Sequence, residues 1–321
     1  MDPVQFFATS RLLIVAGKGG VGKTTVTAAL ARAAGSLGQR VLVIEVEGKS
    51  GLPGLLGVED ELSYDEQVLA SGLGPGGTGE IRGRTITPAR ALVDYFQERG
   101  LRRLSNRLVR HGVLDIVATA APGIDDILVL GKVKQLERSG DADLLVLDAP
   151  AAGHAITFLQ SARALLDAVK VGPINAQAKD VMELLSDPAR CQVLLVTLPE
   201  ETPVNEVVDT AFALEDRVGV SLTPVVVNGC YQEREGLDAD PASVAAASGI
   251  TLDGSDLAAL SAAARFRAER LDLQREQLGR LAERLPLPQL QLPFRFTAGL
   301  GPDEVIGLAD ELLRGIAGLA A

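Results

Sequence analysis

Residues Arg11 to Thr25 read RLLIVAGKGGVGKTT, and the order of residue types in this stretch decides the fold. Leu12 to Ala16 is a short apolar, partly β-branched run of the kind that forms a buried strand. It opens directly into glycines, then Lys23-Thr24-Thr25, then an alanine-rich helical stretch. Gly17, Gly22, Lys23 and Thr24 fit the spacing G-x-x-x-x-G-K-[ST] without mismatch. Backbone N–H groups must turn inward to surround a phosphate, which demands dihedrals and close approach that a Cβ would block. The helix that follows points its positive end at the same anion. Gly17, Lys18, Gly19, Gly20, Val21, Gly22, Lys23, Thr24 and Thr25 are therefore the candidate nucleotide-binding residues. Lys23 is expected at the β and γ phosphates, and the Thr24 hydroxyl at a Mg2+ ion.

Outward from this loop, Arg40 to Val46 (RVLVIEV) is the next continuous apolar strand, with Glu45, Glu47, Gly48 and Lys49 at its carboxyl end. Ligands bind at the carboxyl ends of parallel strands, so these residues face the same site. Asp143 to Asp148 (DLLVLD) is an apolar strand ending in aspartate, an arrangement that places a carboxylate near the Thr24 hydroxyl and makes Asp148 a candidate metal and catalytic residue. The fold class is α/β: a doubly wound, mostly parallel sheet of P-loop NTPase type, forming one domain over residues 1–321 with a helical insertion at about 88–138.

Further elements follow from local signals. Ser71 to Gly79 (SGLGPGGTG) reads as a flexible connector and Glu80 to Ile86 as an edge strand. Thr87-Pro88 starts a helix running toward Glu98, and the helical pattern continues to about Arg138 with a break at Ala121-Pro122-Gly123. Helices are expected over 156–170 and 174–185, strands over 192–197 and 223–227, and a helix opening near Pro203. Tyr231 to Asp253 is acidic and featureless, Leu257 to Leu285 is a docked amphipathic helix whose heptads Arg267 and Gln274 interrupt, and 286–296 holds the last strand before a terminal helix over 302–319.

A net charge of −11 argues against a surface built to neutralise phosphates, so no nucleic-acid partner is expected. Cys191 and Cys230 are isolated and His111 and His154 are the sole histidines, which leaves no zinc or iron–sulfur framework in one chain and makes buried thiols the plain reading. Asp2 sits where a targeting leader would be basic, and no stretch approaches the ~20 apolar residues of a membrane span. A cytoplasmic protein without an integral membrane segment is expected.

Lys18 follows the first glycine directly, giving K-G-G-x-G-K-T-T. This resembles the deviant P-loop of the MinD and ParA partition proteins, the nitrogenase iron protein, the ArsA arsenite-pump ATPase and the tail-anchored-protein targeting ATPases. Pro122 to Asp126 (PGIDD) is similar to the Pro-Gly-Ile-Asp-Glu segment of the ArsA and targeting branch, and Asp148 to His154 (DAPAAGH) to its Asp-Thr-Ala-Pro-Thr-Gly-His switch. The resemblance implies a Mg2+-ATP-dependent dimer, a homodimer or a heterodimer with a related ATPase, in which Lys18 reaches nucleotide across the interface. Glu47 stands in the register of the family's water-orienting aspartate. It orients water in a slow enzyme, senses γ-phosphate, or is a plain solvated acid. Asn228 falls where relatives contact adenine, though an asparagine after a strand is also a turn residue, and Pro293-Phe294 falls where relatives place a loop against the adenine. Gly153-His154 reads as the end of a switch or as a structural histidine.

The implied catalytic set is Lys18, Lys23, Glu47 and Asp148, the metal set Thr24 and Asp148, and the cofactors ATP and Mg2+. The implied function couples ATP binding and hydrolysis to an unknown protein partner or cargo. Met182 is the sole internal methionine, which departs from the methionine-rich groove of the targeting ATPases, and two isolated cysteines depart from the clustered thiolates that arsenite wants. The alternatives are a nucleotide-gated binding protein with little turnover and a MinD- or ParA-like positioning ATPase. The terminal helix disfavours the latter, its sole basic residue being Arg314.

Overall fold

Strand β1 (Leu12–Ala16) is buried along its whole length, because parallel partners flank it on both sides. The computed structural model describes residues 1–46, 51–98, 123–150, 152–236 and 239–319. The other strands are β2 (Arg40–Val46), β3 (Gln67–Leu73), β4 (Gly79–Ile86), β5 (Leu144–Asp148), β6 (Cys191–Thr197), β7 (Ser221–Leu222), β8 (Val225–Cys230) and β9 (Gln289–Pro293). The helices are α1 (Pro3–Ala8), α2 (Lys23–Ser36), α3 (Leu52–Leu55), α4 (Pro88–Glu98), α5 (Ile124–Ser139), α6 (Ala152–Ala168), α7 (Pro173–Ser186), α8 (Glu201–Val218), α9 (Pro241–Ala247), α10 (Gly254–Arg284) and α11 (Pro302–Ala317).

The sheet order is β3-β4-β2-β5-β1-β6-β8-β9, with β7 beside β6, and every pairing is parallel except β3 with β4. The expected doubly wound, mostly parallel α/β sheet is what the chain forms. From β1 the chain moves outward on one side through β2 and on the other through β6. The strand order therefore reverses at β1, and the crevice for a ligand lies at its carboxyl end.

Alternation along each central strand builds two cores. Leu12, Ile14, Leu42, Ile44, Leu145 and Leu147 face one layer, packed by α5 to α8. Leu13, Val15, Val41, Val43, Leu144 and Val146 face the other, packed by α2 and α11. Asp148 and Glu45 continue the second series, which puts both carboxylates on the side of α2, the helix that leaves the glycine loop.

Several local expectations need correction. Glu80 to Ile86 is not an edge, because β4 pairs with β2 on one side and β3 on the other, so β3 is the edge strand. Ser71 to Gly79 runs from the end of β3 into the start of β4, and two of its glycines, Gly74 and Gly79, serve close packing. A Cβ on Gly79 would lie 2.0 Å from the Gly35 carbonyl oxygen, and one on Gly74 (φ 69°) 2.6 Å from that of Ser36, so this hairpin presses on the end of α2. The stretch from Tyr231 to Asp253 contains α9, opened by Asp240, whose carboxylate accepts from the Ser243 amide at 3.0 Å. Of the helical insertion expected at about 88–138, α4 and α5 lie where the pattern places them; residues 99–122 fall outside the described residues.

Candidate functional site

The glycine loop joins β1 to α2, and neighbouring strands press directly on it. A Cβ on Gly17 would stand 2.3 Å from the Val196 carbonyl oxygen of β6, and one on Gly22 2.3 Å from Nδ2 of Asn228. Gly20 and Gly22 both hold φ 87°, and Gly22 caps α2, so the amides of the first turn are left facing the loop. Asn228, on β8, donates from Nδ2 to the Val21 carbonyl at 2.9 Å and so braces the loop from behind.

Three side chains meet inside this cradle. Lys23 Nζ donates to the Lys18 carbonyl at 3.1 Å, which folds its ammonium back over the loop; burial lowers its pKa, and the Asp148 carboxylate opposes that shift. Thr24 Oγ1 donates to Asp148 Oδ2 at 2.7 Å. The other oxygen, Asp148 Oδ1, is buried with no partner. Burial raises the Asp148 pKa, with the Thr24 hydrogen bond and the Lys23 charge pulling the other way.

Glu45 adjoins this group. It stands directly beside Asp148 in the β2–β5 register, is 3% exposed, and leaves Oε1 without a partner. Burial pushes its carboxyl up to about 7, with smaller contributions from the Asp148 and Glu61 charges. Because the folded-state value lies above the unfolded value near 4.5, the stability tied to the protonated form is present below about pH 4.5 and is lost as pH rises through 7. Glu45→Gln is therefore expected to leave stability nearly unchanged at pH 4 and to raise it at pH 8 by about 1–3 kcal/mol. Thermal unfolding across that range in EDTA checks this, and a variant less stable than the parent at pH 8 would contradict the buried-charge account.

Lys18 lies at the outer lip of the loop. Its Nζ is 2.6 Å from Oε1 of Glu206 on α8, with side chains 39% and 42% exposed. On the β8 side, Gly229 (φ 74°) lies in a bulge, where the β8–β9 register shifts after Val227. Gln274 of α10 clamps this bulge, donating to the Gly229 carbonyl at 3.2 Å and accepting from the Tyr231 amide at 2.7 Å. Pro293 is buried at the end of β9, while Phe294 is 45% exposed and packs with Tyr231 and Phe296 at ring distances of 5.3 and 4.8 Å.

The chain thus brings together Gly17 to Thr25, Asp148 and Asn228 at one crevice, with Pro293 at the end of the next strand beyond Asn228. Glu47 lies outside the described residues, and His154 is an exposed residue in the first turn of α6. Cys191 and Cys230 are buried at opposite ends of β6 and β8, and burial pushes the Cys230 thiol up to about 12. Reading the sequence does not reach Glu206, Gln274 or the pairing of Glu45 with Asp148. The local signals are slight: an apolar strand interrupted by one glutamate, VIEV, for the Glu45 pairing, and a glutamine breaking a leucine period for Gln274.

Glycines that a Cβ would block fit a polyphosphate, and an unpartnered carboxylate oxygen beside a threonine hydroxyl fits a divalent cation. Loop, helix and strand-end aspartate together define a nucleotide-binding domain of the P-loop class. The chain belongs to the CobQ/CobB/MinD/ParA nucleotide binding domain family (CbiA), whose model matches residues 12–295. It is similar to ATPase BagA of Mycobacterium tuberculosis, 32% identical over 304 residues covering 88% of this chain and 87% of that protein. A putative arsenical pump-driving ATPase of Halobacterium salinarum is 23% identical over 92% of this chain and 43% of its own length. The ATPase get3 of Schizosaccharomyces japonicus is 25% identical over 46% of this chain and 42% of its own. Among the described residues no helix is long and apolar enough to cross a membrane.

Proposed function

We propose that this chain is a Mg2+-dependent ATPase of the ParA, MinD and ArsA class, working as a dimer that couples nucleotide state to a protein partner or cargo. The hydrogen bond from Thr24 to Asp148, with Asp148 Oδ1 left unpartnered and Lys23 alongside, is the observation that carries this reading. The names of the relatives, ATPases in each case, support the reaction class.

In this reading the loop amides and Lys23 bind and orient the β and γ phosphates. Thr24 and Asp148 hold the metal, which supplies charge neutralisation at the phosphates when bound. Lys18 of a second copy, or of a related ATPase, brings a further positive charge to the phosphates, where it stabilises the charge spread over the transferring phosphoryl group and its leaving oxygen. Glu47 orients the attacking water. It carries one more methylene than aspartate, which moves the carboxylate by about an ångström and makes turnover slow. Asn228 combines its brace on Val21 with a contact to the base, and Pro293 and Phe294 supply an apolar wall beside it. Residues 1–321 form one domain, and the helical insertion at about 88–138 transmits dimer opening and closing to the partner.

The test is Mg2+-dependent release of phosphate from ATP by the protein and by Asp148→Asn. The asparagine keeps the acceptor for Thr24 but loses the charge, so half-maximal activity is expected to need at least about tenfold more Mg2+. Unchanged metal dependence would remove Asp148 from the metal set, and absence of hydrolysis by the parent with any nucleoside triphosphate would remove the ATPase. A nucleotide gate with little turnover is a second reading, favoured by glutamate in place of aspartate at position 47. Tight ATP binding with no phosphate released in a single turnover selects it.

A further inference from the structure

Lys18 and Glu206 are separated by 188 residues in sequence, yet their charged ends are 2.6 Å apart. The helix carrying Glu206 is fixed on both sides of it. Val204, Val207 and Val208 are buried in the core beneath α8. Along its outer edge, α10 holds the first turn. Arg284 donates to Asn205 at 2.6 Å, Arg270 pairs with Glu200 at 2.9 Å, and Arg280 approaches Glu201 at 3.7 Å. Those neighbouring polar groups of α8 answer to α10, whereas Glu206 turns away and meets the loop. Its carboxylate is therefore presented from a rigid element rather than from a mobile tail.

We propose that Glu206 is a positioning residue for Lys18. Within one copy it draws the ammonium against its own subunit, and it must release the ammonium before Lys18 can reach a nucleotide held by a second copy. This rests on the dimeric ATPase reading above and adds an intrachain competitor to it. One ammonium cannot satisfy Glu206 and a phosphate across an interface together. The competition is set by charge, because a triphosphate carries several negative charges and a carboxylate carries one. Bound triphosphate in the opposite copy thus makes the exchange favourable, and the nucleotide state selects between the two placements of Lys18.

The pair is solvated enough to be releasable. Ion pairs of this exposure are worth roughly threefold in an equilibrium, and a symmetric dimer breaks two of them, so the combined effect is on the order of tenfold. Glu206→Gln keeps the size and helical setting of the side chain and removes its charge. In Mg2+ and a non-hydrolysable ATP analogue, the dimer of this variant is expected to dissociate at about tenfold lower protein concentration than the parent, read by analytical ultracentrifugation. Half-maximal dimerisation should also need less analogue. In a Lys18→Ala background the same substitution should shift neither quantity, which separates the pair from any general effect of removing a negative charge beside the nucleotide site. The proposal is overturned if Glu206→Gln dimerises no more readily than the parent, or if the shift persists without Lys18. A parent that stays monomeric with the analogue overturns this proposal together with the homodimeric form of that reading. A parent that dimerises while Glu206→Gln matches it overturns the latch alone.

Discussion

Lys23→Ala is expected to lower ATP turnover by on the order of 10²- to 10³-fold, the magnitude associated with removing one preorganised charge from a developing oxyanion. Lys23 is the first residue of α2, and its ammonium already lies over the loop, 3.1 Å from the Lys18 carbonyl, in surroundings dry enough to lower its pKa. An ammonium in such a place has been stripped of part of its hydration shell and gains more from a phosphate than one on an open surface would. Loss of the amine also leaves Asp148 without its nearest opposing charge, so the variant should bind Mg2+-nucleotide more weakly as well as turning over more slowly. Steady-state phosphate release together with equilibrium binding of a fluorescent ATP analogue checks both effects. Turnover within a few-fold of the parent would mean that the glycine loop is not where the reaction happens.

The parts of this molecule that sequence makes legible are those specified locally. Leu12 to Ala16, Arg40 to Val46 and Leu144 to Asp148 are continuous apolar runs because each is buried between two parallel neighbours, and a strand buried on both faces has no other pattern available. The loop is legible for a similar reason. Gly17 and Gly22 are demanded by carbonyl and amide groups within 2.3 Å of where a Cβ would stand, and the constraint leaves its mark as glycine.

What escapes local reading is decided by distant partners. Whether β4 is an edge depends on β3, whose pairing with it is interrupted by register shifts and leaves no clean alternation to read. Gln274 reads as a flaw in a leucine period, yet it is buried because it must satisfy the backbone at the Gly229 bulge, which the helix's own sequence cannot announce. Glu206 is one acid among many in an acidic chain, and only the fold brings it to Lys18. A contiguous motif such as the glycine loop is thus visible from the start, whereas the groups that brace or pair with it come from elements far along the chain.

Lys18→Ala should abolish turnover about as fully as Lys23→Ala, and the two defects should complement each other when the variants are mixed. A positive charge delivered across an interface in phosphoryl transfer is worth on the order of 10³-fold or more. In a mixed dimer, one site combines an intact Lys23 from the Lys18→Ala chain with an intact Lys18 from the Lys23→Ala chain, and the other site lacks both. Random pairing of equal amounts puts half the dimers in this mixed form, each with one working site, so about a quarter of parental activity should return. The same substitution tested alone should leave nucleotide binding by one copy nearly unchanged. Lys18 Nζ engages Glu206, whereas Lys23 Nζ folds back over the loop onto the Lys18 carbonyl. A Lys18 acting within its own subunit gives a different pattern, in which each site is complete or dead according to its own chain and mixing restores nothing. Phosphate release measured across mixing ratios distinguishes the two: a maximum near equal proportions belongs to action in trans, and a flat line at background overturns it.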